Sequence, residues 1–206
     1  MSDWSVQDIY PTPVYLADID NFDSIQKEIS GIVENLKFEY YPGFGNTHKL
    51  SEHFSIESFK NETVNLMGDL PLFVDELENH MLRYCQQLNF NTREYQFVNS
   101  WMTLFEKGDY AHIHNHNDVD FSGVYYYQKE SDINDFFFES PVLGAKSSAA
   151  YYGGRIYPPT HTGLLMLFPG WLSHGVNRIE TDGKRYSISF NIEFQKFRDT
   201  LPTNVL

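Results

Sequence analysis

A single cysteine, Cys85, is the only thiol in 206 residues. That excludes an internal disulfide and a thiolate metal cage. No apolar run approaches the ~18 residues a membrane-spanning helix needs. Basic residues are scarce: 15 Lys and Arg stand against 28 Asp and Glu, a formal charge of −13. Phosphate backbones and anionic lipids are held by clustered Lys and Arg, so neither nucleic acid nor membrane is an expected partner. The stretch from Met1 to Asp8 carries neither a basic leader nor an apolar core, so no export signal is expected and the expected location is cytoplasmic. There is no internal repeat, linker or low-complexity tract either. The expectation is one domain over residues 1–206, with helical support in 20–90 and a β core in 91–198.

Aromatic residues are what the chain has in excess. Phe, Tyr and Trp make up 17% of it (17, 14 and 3 residues), and most follow residue 90. Rings of this kind suit a pleated, half-buried surface better than a helix. Short aromatic and β-branched runs recur at 95–106, 121–128, 135–139, 148–152, 162–168 and 184–194, punctuated by turn signals such as Gly153-Gly154 and Asp182-Gly183. Before them, Phe22, Ile25, Ile29, Ile32, Val33 and Leu36 recur at helical spacing behind an expected cap at Asp23. A second stripe (Leu70, Val74, Leu77, Met81, Tyr84, Cys85, Leu88) predicts a helix over 70–89, with Pro71 in its first turn. Residues 1–20 read as an extended entry segment and 40–50 as a loop. The fold class expected is mainly β, a sandwich or jelly roll with the N-terminal helices packed on one outer face.

The chemistry concentrates in two tracts. Residues 110–120 read Tyr-Ala-His-Ile-His-Asn-His-Asn-Asp-Val-Asp. Alternate residues of an extended chain face the same way, so His112, His114, His116 and Asp118 can project from one side. Two such ligands can share a metal ion once a distant third completes the set. His174 is that candidate, because it directly follows the apolar run 164–168 and a Pro-Gly turn. Then Arg185 and Ser187 share one face of an alternating strand. A guanidinium directed into a sheet interior needs an anionic partner, and a carboxylate binds it through two parallel bonds. The remaining histidines, His48, His53, His80 and His161, read as surface or turn residues, and Cys85 as core.

In order along the chain, Tyr10-Pro-Thr-Pro-Val-Tyr15, His114-x-His116, Ser122-Gly-Val-Tyr-Tyr126, Phe168-Pro-Gly-Trp-Leu-Ser-His174 and Arg185-Tyr-Ser-Ile-Ser-Phe-Asn191 resemble the 2OG-Fe(II) oxygenases. The likeness is to the prolyl-4-hydroxylase-like, marine bacterial and phage type. That resemblance implies a double-stranded β-helix with iron at its open end, using Fe(II), 2-oxoglutarate and dioxygen to hydroxylate a peptide or small molecule. It implies His174 as the distal ligand, and Arg185, Ser187 and Tyr126 as the holders of the far carboxylate of 2-oxoglutarate. Two frames stay open for the remaining ligands. The family pattern favours His114 and His116, whereas Asp118 in place of His114 gives the two-histidine, one-carboxylate set usual for non-haem iron oxygenases. Two alternatives stay open: a cupin-like three-histidine metal protein that does not use 2-oxoglutarate, which would leave Arg185 and Ser187 without a purpose, and a non-enzymatic β-sandwich binding module whose histidines are incidental. Composition specifies neither substrate nor oligomeric state.

Overall fold

Two antiparallel sheets and two helices build the protein in a computed structural model that describes residues 11–54, 65–89, 94–130, 135–142 and 154–194. The strands are β1 (Tyr15–Asp18), β2 (Phe38–Tyr40), β3 (Lys49–Ser51), β4 (Tyr95–Phe105), β5 (Ala111–His114), β6 (Phe121–Lys129), β7 (Phe136–Glu139), β8 (Arg155–Ile156), β9 (Leu164–Pro169), β10 (His174–Val176) and β11 (Arg185–Phe194). The major sheet runs β1-β9-β6-β11-β4-β3-β2 and the minor sheet β5-β10-β7-β8. Four neighbours in the major sheet, β9-β6-β11-β4, face the four strands of the minor one. The result is the expected double-stranded β-helix.

The helices α1 (Phe22–Val33) and α2 (Pro71–Gln87) cover the outer face of the major sheet. Their stripes, from Ile25 and Ile29 to Phe73, Leu77, Met81 and Tyr84, form one core with Met102, Tyr125, Leu165, Leu167, Ile188 and Phe190. The inner faces of the two sheets enclose a second core with Phe105, Val124, Tyr126, Phe136, Phe138, Met166 and Phe168. Strands β6 and β9 are therefore buried on both faces, which is why they read as continuous apolar runs.

Helix capping differs from expectation. The N-cap of α1 is Asn21, with no side-chain cap bond. The start of α2 is capped from outside: the Glu28 carboxylate accepts the Leu72 and Phe73 amides at 2.8 and 2.9 Å, where the helix dipole favours an anion. Residues 20–90 are also not wholly helical. The entry segment supplies β1 as an edge strand beside β9, and the supposed loop at 40–50 contains the end of β2 and the start of β3, which extend the major sheet from β4. Runs of three residues are too short to show a periodicity. The strand expected at 148–152 lies outside the described residues, as do residues 55–64 and 143–153.

Candidate active site

Strand β5 ends at His114 and pairs with β10, where His114 stands opposite His174 in register. This pairing brings together two histidines sixty residues apart. His116 follows in a tight loop held by the Pro-Gly turn: the His116 amide donates to the Gly170 carbonyl at 2.7 Å and the Gly170 amide to Asp120 at 3.0 Å. A Cβ on Gly170 would lie 2.4 Å from the Val119 carbonyl oxygen and 2.7 Å from that of His116, so only glycine allows this approach.

Imidazole nitrogens of His114, His116 and His174 lie within 4.8 Å of one another. Asp118 is not part of that cluster, and neither is His112; the fold brings together the three-histidine frame. The orientation of each ring is set by its Nδ1. In His114 it donates to the His112 carbonyl at 2.8 Å, in His174 to the Leu172 carbonyl at 2.9 Å, and in His116 to Asn191 Oδ1 at 2.6 Å. Carbonyl oxygens only accept, so all three rings carry their proton on Nδ1. Each Nε2 lone pair remains available for a metal, the usual arrangement of a ligating histidine.

His116 is held most elaborately. Asn191 is itself fixed by donating to Asn99 Oδ1 at 2.7 Å and by accepting from Ser122 at 2.7 Å. The sequence reading missed Asn191, Ser122 and Asn99, although Asn191 falls on the same alternating face of β11 as Arg185 and Ser187. Burial lowers the pKa of all three rings. For His116, burial and then the neighbouring His114 hold it at about 4, and His174 is pressed well below its ordinary value, first by burial. Neutral imidazoles at neutral pH are what a divalent ion requires. The His174 ring packs against Phe168 at 4.9 Å and Phe136 at 5.7 Å, whereas His114 keeps an edge to solvent.

Arg185 opens β11 and is only 5% exposed. Its guanidinium lies 4.1 Å over the Phe105 ring and 5.8 Å from that of Tyr126. Its Nη1 is 2.8 Å from Asp135 Oδ1, but outside hydrogen-bonding directions. Among the described residues, the buried side-chain polar atoms without a hydrogen-bond partner are Arg185 Nε and Nη1, Asp135 Oδ1 and the Tyr126 hydroxyl. All four belong to one spot. Unsatisfied buried donors cost free energy, and three of these are the donors that a carboxylate would accept. The residues present thus fit the far carboxylate of a keto-diacid. Ser187 also lies inside the barrel, but its hydroxyl is 2.6 Å from that of Thr103.

Several side chains stand elsewhere than the sequence suggested. His80 is buried, with Nδ1 2.8 Å from the Tyr15 hydroxyl and Nε2 3.2 Å from Glu76 Oε1. Its position between Leu77, Met81 and Tyr84 on the α2 stripe was the signal for burial. His48 stacks on Phe105 at 4.5 Å and is not a surface residue; burial, then the Arg185 charge, hold its pKa at about 4. His161, by contrast, is at the surface as expected, where it meets Asp18. Tyr125 faces the helices, where Gln26 donates to its hydroxyl at 3.0 Å, so it lines no site. Tyr151 and Tyr152 lie outside the described residues.

Residues 99–191 match the family described as "Putative 2OG-Fe(II) oxygenase". Among solved structures, the chain is similar to HygX from Streptomyces hygroscopicus with nickel, 2-oxoglutarate and hygromycin B bound: TM-score 0.62, 13% identity, 90% of this chain and 84% of that one. It is similar to a Pseudomonas putida prolyl-4-hydroxylase at TM-score 0.57 and 12% identity, covering 89% and 94% of the two chains. The epimerase SnoN from nogalamycin biosynthesis follows at TM-score 0.58, 11% identity and coverage of 95% and 87%. No curated protein matches the sequence. At these identities the structures establish the shared jelly-roll fold. No helix among the described residues is long and apolar enough to cross a membrane.

Proposed function

We propose that this chain, placed in the 2OG-Fe(II) oxygenase family by residues 99–191, is an Fe(II)- and 2-oxoglutarate-dependent dioxygenase that hydroxylates a small molecule or peptide. The observation that carries the reading is the common orientation of three imidazoles, each with its Nδ1 proton given to a fixed oxygen. His114, His116 and His174 would hold the iron through Nε2.

The cofactors, when bound, supply the oxidative decarboxylation of 2-oxoglutarate by dioxygen to succinate and carbon dioxide, one oxygen atom entering succinate and the other hydroxylating a substrate C–H bond. The protein's part is orientation and exclusion of water. Arg185 and the Tyr126 hydroxyl would take the far carboxylate, a charge-assisted contact in a dry interior. Thr103 and Ser187 would define the wall beside it, the Ser187 hydroxyl turning from Thr103 if it too contacts the anion. Phe136 and Phe168 shield His174 from solvent. Asn191, braced by Asn99 and Ser122, would keep the His116 ring from rotating and raise its basicity. HygX is solved with 2-oxoglutarate and nickel, and SnoN with Fe3+ and alpha-ketoglutarate; both support this assignment of the shared interior. A free, buried thiol, Cys85, suits the reducing cytoplasm, where we place the protein.

Succinate release is the test. Purified protein given Fe(II), ascorbate, dioxygen and 2-oxoglutarate is expected to form succinate, and Arg185→Ala is expected to abolish 2-oxoglutarate uptake, measured by calorimetry or tryptophan fluorescence. A three-histidine metal protein indifferent to 2-oxoglutarate would bind metal equally well and show neither result.

A further inference from the structure

Asp135 is the one feature of the cosubstrate pocket that its chemistry does not call for. It lies immediately before β7, and its backbone carbonyl accepts the Asn177 amide at 2.9 Å, which ties the main chain at this point while leaving the side chain to turn. Its carboxylate oxygen sits 2.8 Å from Arg185 Nη1, with both side chains under a tenth exposed. A buried guanidinium without a counter-ion is costly, and Asp135 supplies that counter-ion within the protein itself. Yet the contact is poor. Oδ1 and Nη1 meet off the hydrogen-bonding direction, and both remain unsatisfied, so the pair gains Coulomb energy without the directional bonds that make such pairs strong.

A keto-diacid arriving at this spot brings a second carboxylate to a guanidinium whose charge is already balanced. Two carboxylates on one Arg leave an excess negative charge in a low-dielectric interior, which is unfavourable. Space and an alternative partner lie close by. A cavity of ≈ 90 Å³ borders Asp135 and Arg185, and its lining includes Lys129, Arg178 and Lys184. These three cations outnumber the one further carboxylate of that lining, Glu180, although Lys184 also lies 3.5 Å from Glu106 and Arg178 donates to the Gly108 carbonyl. A displaced Asp135 carboxylate would turn towards them.

We propose that Asp135 is a specificity-determining residue of the far-carboxylate subsite: it occupies Arg185 in the absence of cosubstrate, and 2-oxoglutarate binds by displacing it into the adjoining cavity. This rests on the reading of Arg185 as the cosubstrate anchor. Asp135 therefore lowers the affinity for any diacid, because the incoming carboxylate replaces an ion pair instead of meeting a free cation. It has little influence on a 2-oxo acid whose tail is uncharged, since such a tail does not compete for the guanidinium. The wild-type protein discriminates between the two classes less than a pocket with Arg185 alone would.

Calorimetric titration of the Co(II)-loaded protein with 2-oxoglutarate and with 2-oxopentanoate tests this in wild type, Asp135→Asn and Arg185→Ala. Asp135→Asn is expected to bind 2-oxoglutarate about tenfold more tightly than wild type, the order expected from removing one like charge near the site. Its affinity for 2-oxopentanoate should change less than about twofold. Equal or weaker binding of 2-oxoglutarate by Asp135→Asn, with wild type binding and Arg185→Ala not, overturns the proposal alone and makes Asp135 an orienting counter-ion. Binding of 2-oxoglutarate that persists in Arg185→Ala, or is absent from every protein, overturns the anchor reading itself and the displacement with it. Should the amide variant misfold, Asp135→Ser carries the same comparison with the same expected direction.

Discussion

Among the described residues, two clusters offer three potential metal ligands each within 4.8 Å: His114, His116 and His174 between the sheets, and Asp20, Glu76 and His80 beside the helices. Their chemistry differs in where the lone pairs and protons go. In the second cluster every group is already engaged. Glu76 Oε1 accepts the Asp20 amide at 2.7 Å and contacts His80 Nε2, its Oε2 accepts Asn21 at 2.8 Å, and His80 Nδ1 meets the Tyr15 hydroxyl. That is a closed network fastening β1 and the start of α1 to α2. In the first cluster the outward nitrogens are saturated and the inward ones are not. Proximity of ligating residues is thus common to both, and the direction of unsatisfied atoms separates a binding centre from a structural knot.

The largest effect is expected from His174→Ala, which should abolish retention of one equivalent of divalent metal, measured by metal analysis after dialysis; His80→Ala should leave that equivalent in place. Next comes Glu76→Ala, which takes the acceptor from the Asp20 amide, the Asn21 side chain and the buried His80 ring and should cost about 2 kcal/mol in urea unfolding without lowering metal stoichiometry. Asn191→Ala should weaken metal binding about tenfold or somewhat more, seen in a competition titration with a chromogenic chelator, since Ser122 still reaches the His116 ring.

The smallest effect concerns acid. Burial opposes ionisation of Glu76, but the bonds from Asp20, Asn21 and His80 outweigh it and lower its pKa from 4.5. A carboxyl lowered on folding adds stability above its unfolded pKa and loses it as pH falls through the folded value. The melting temperature of Glu76→Gln should therefore fall less than that of wild type on acidification below about pH 4.5. An equal fall would assign the acid sensitivity to another group.

Much of this architecture is legible from residue order, for reasons that differ by element. The α1 and α2 stripes are long enough for a 3.6-residue period to stand out, and the apolar runs of β6 and β9 betray burial on both faces. The His114 and His116 alternation is legible because extended chain has period two, and His174 because it ends an apolar run at a Pro-Gly turn. Strands β2, β3, β8 and β10 are two or three residues long, below what any period can reveal. Asp135, Asn191 and Ser122 escaped because a polar residue in a strand gives no sign of which neighbour it will meet. His80 was misjudged by weighing its type above its place on the stripe.

One consequence follows from the way the two sheets share the machinery. His114 and His174 ride on the minor sheet and Arg185 on the major one, and between them stand the rings of Phe136, Phe168 and Phe105, packed in one inner cluster. On the proposed reading, these hydrocarbon spacers would act as a ruler: their thickness would set the span between the three imidazoles and the guanidinium, and with it the length of keto-diacid that could bridge the gap. Tuning the chain length of the accepted acid would then require trimming a phenyl ring, with every polar group left as it is.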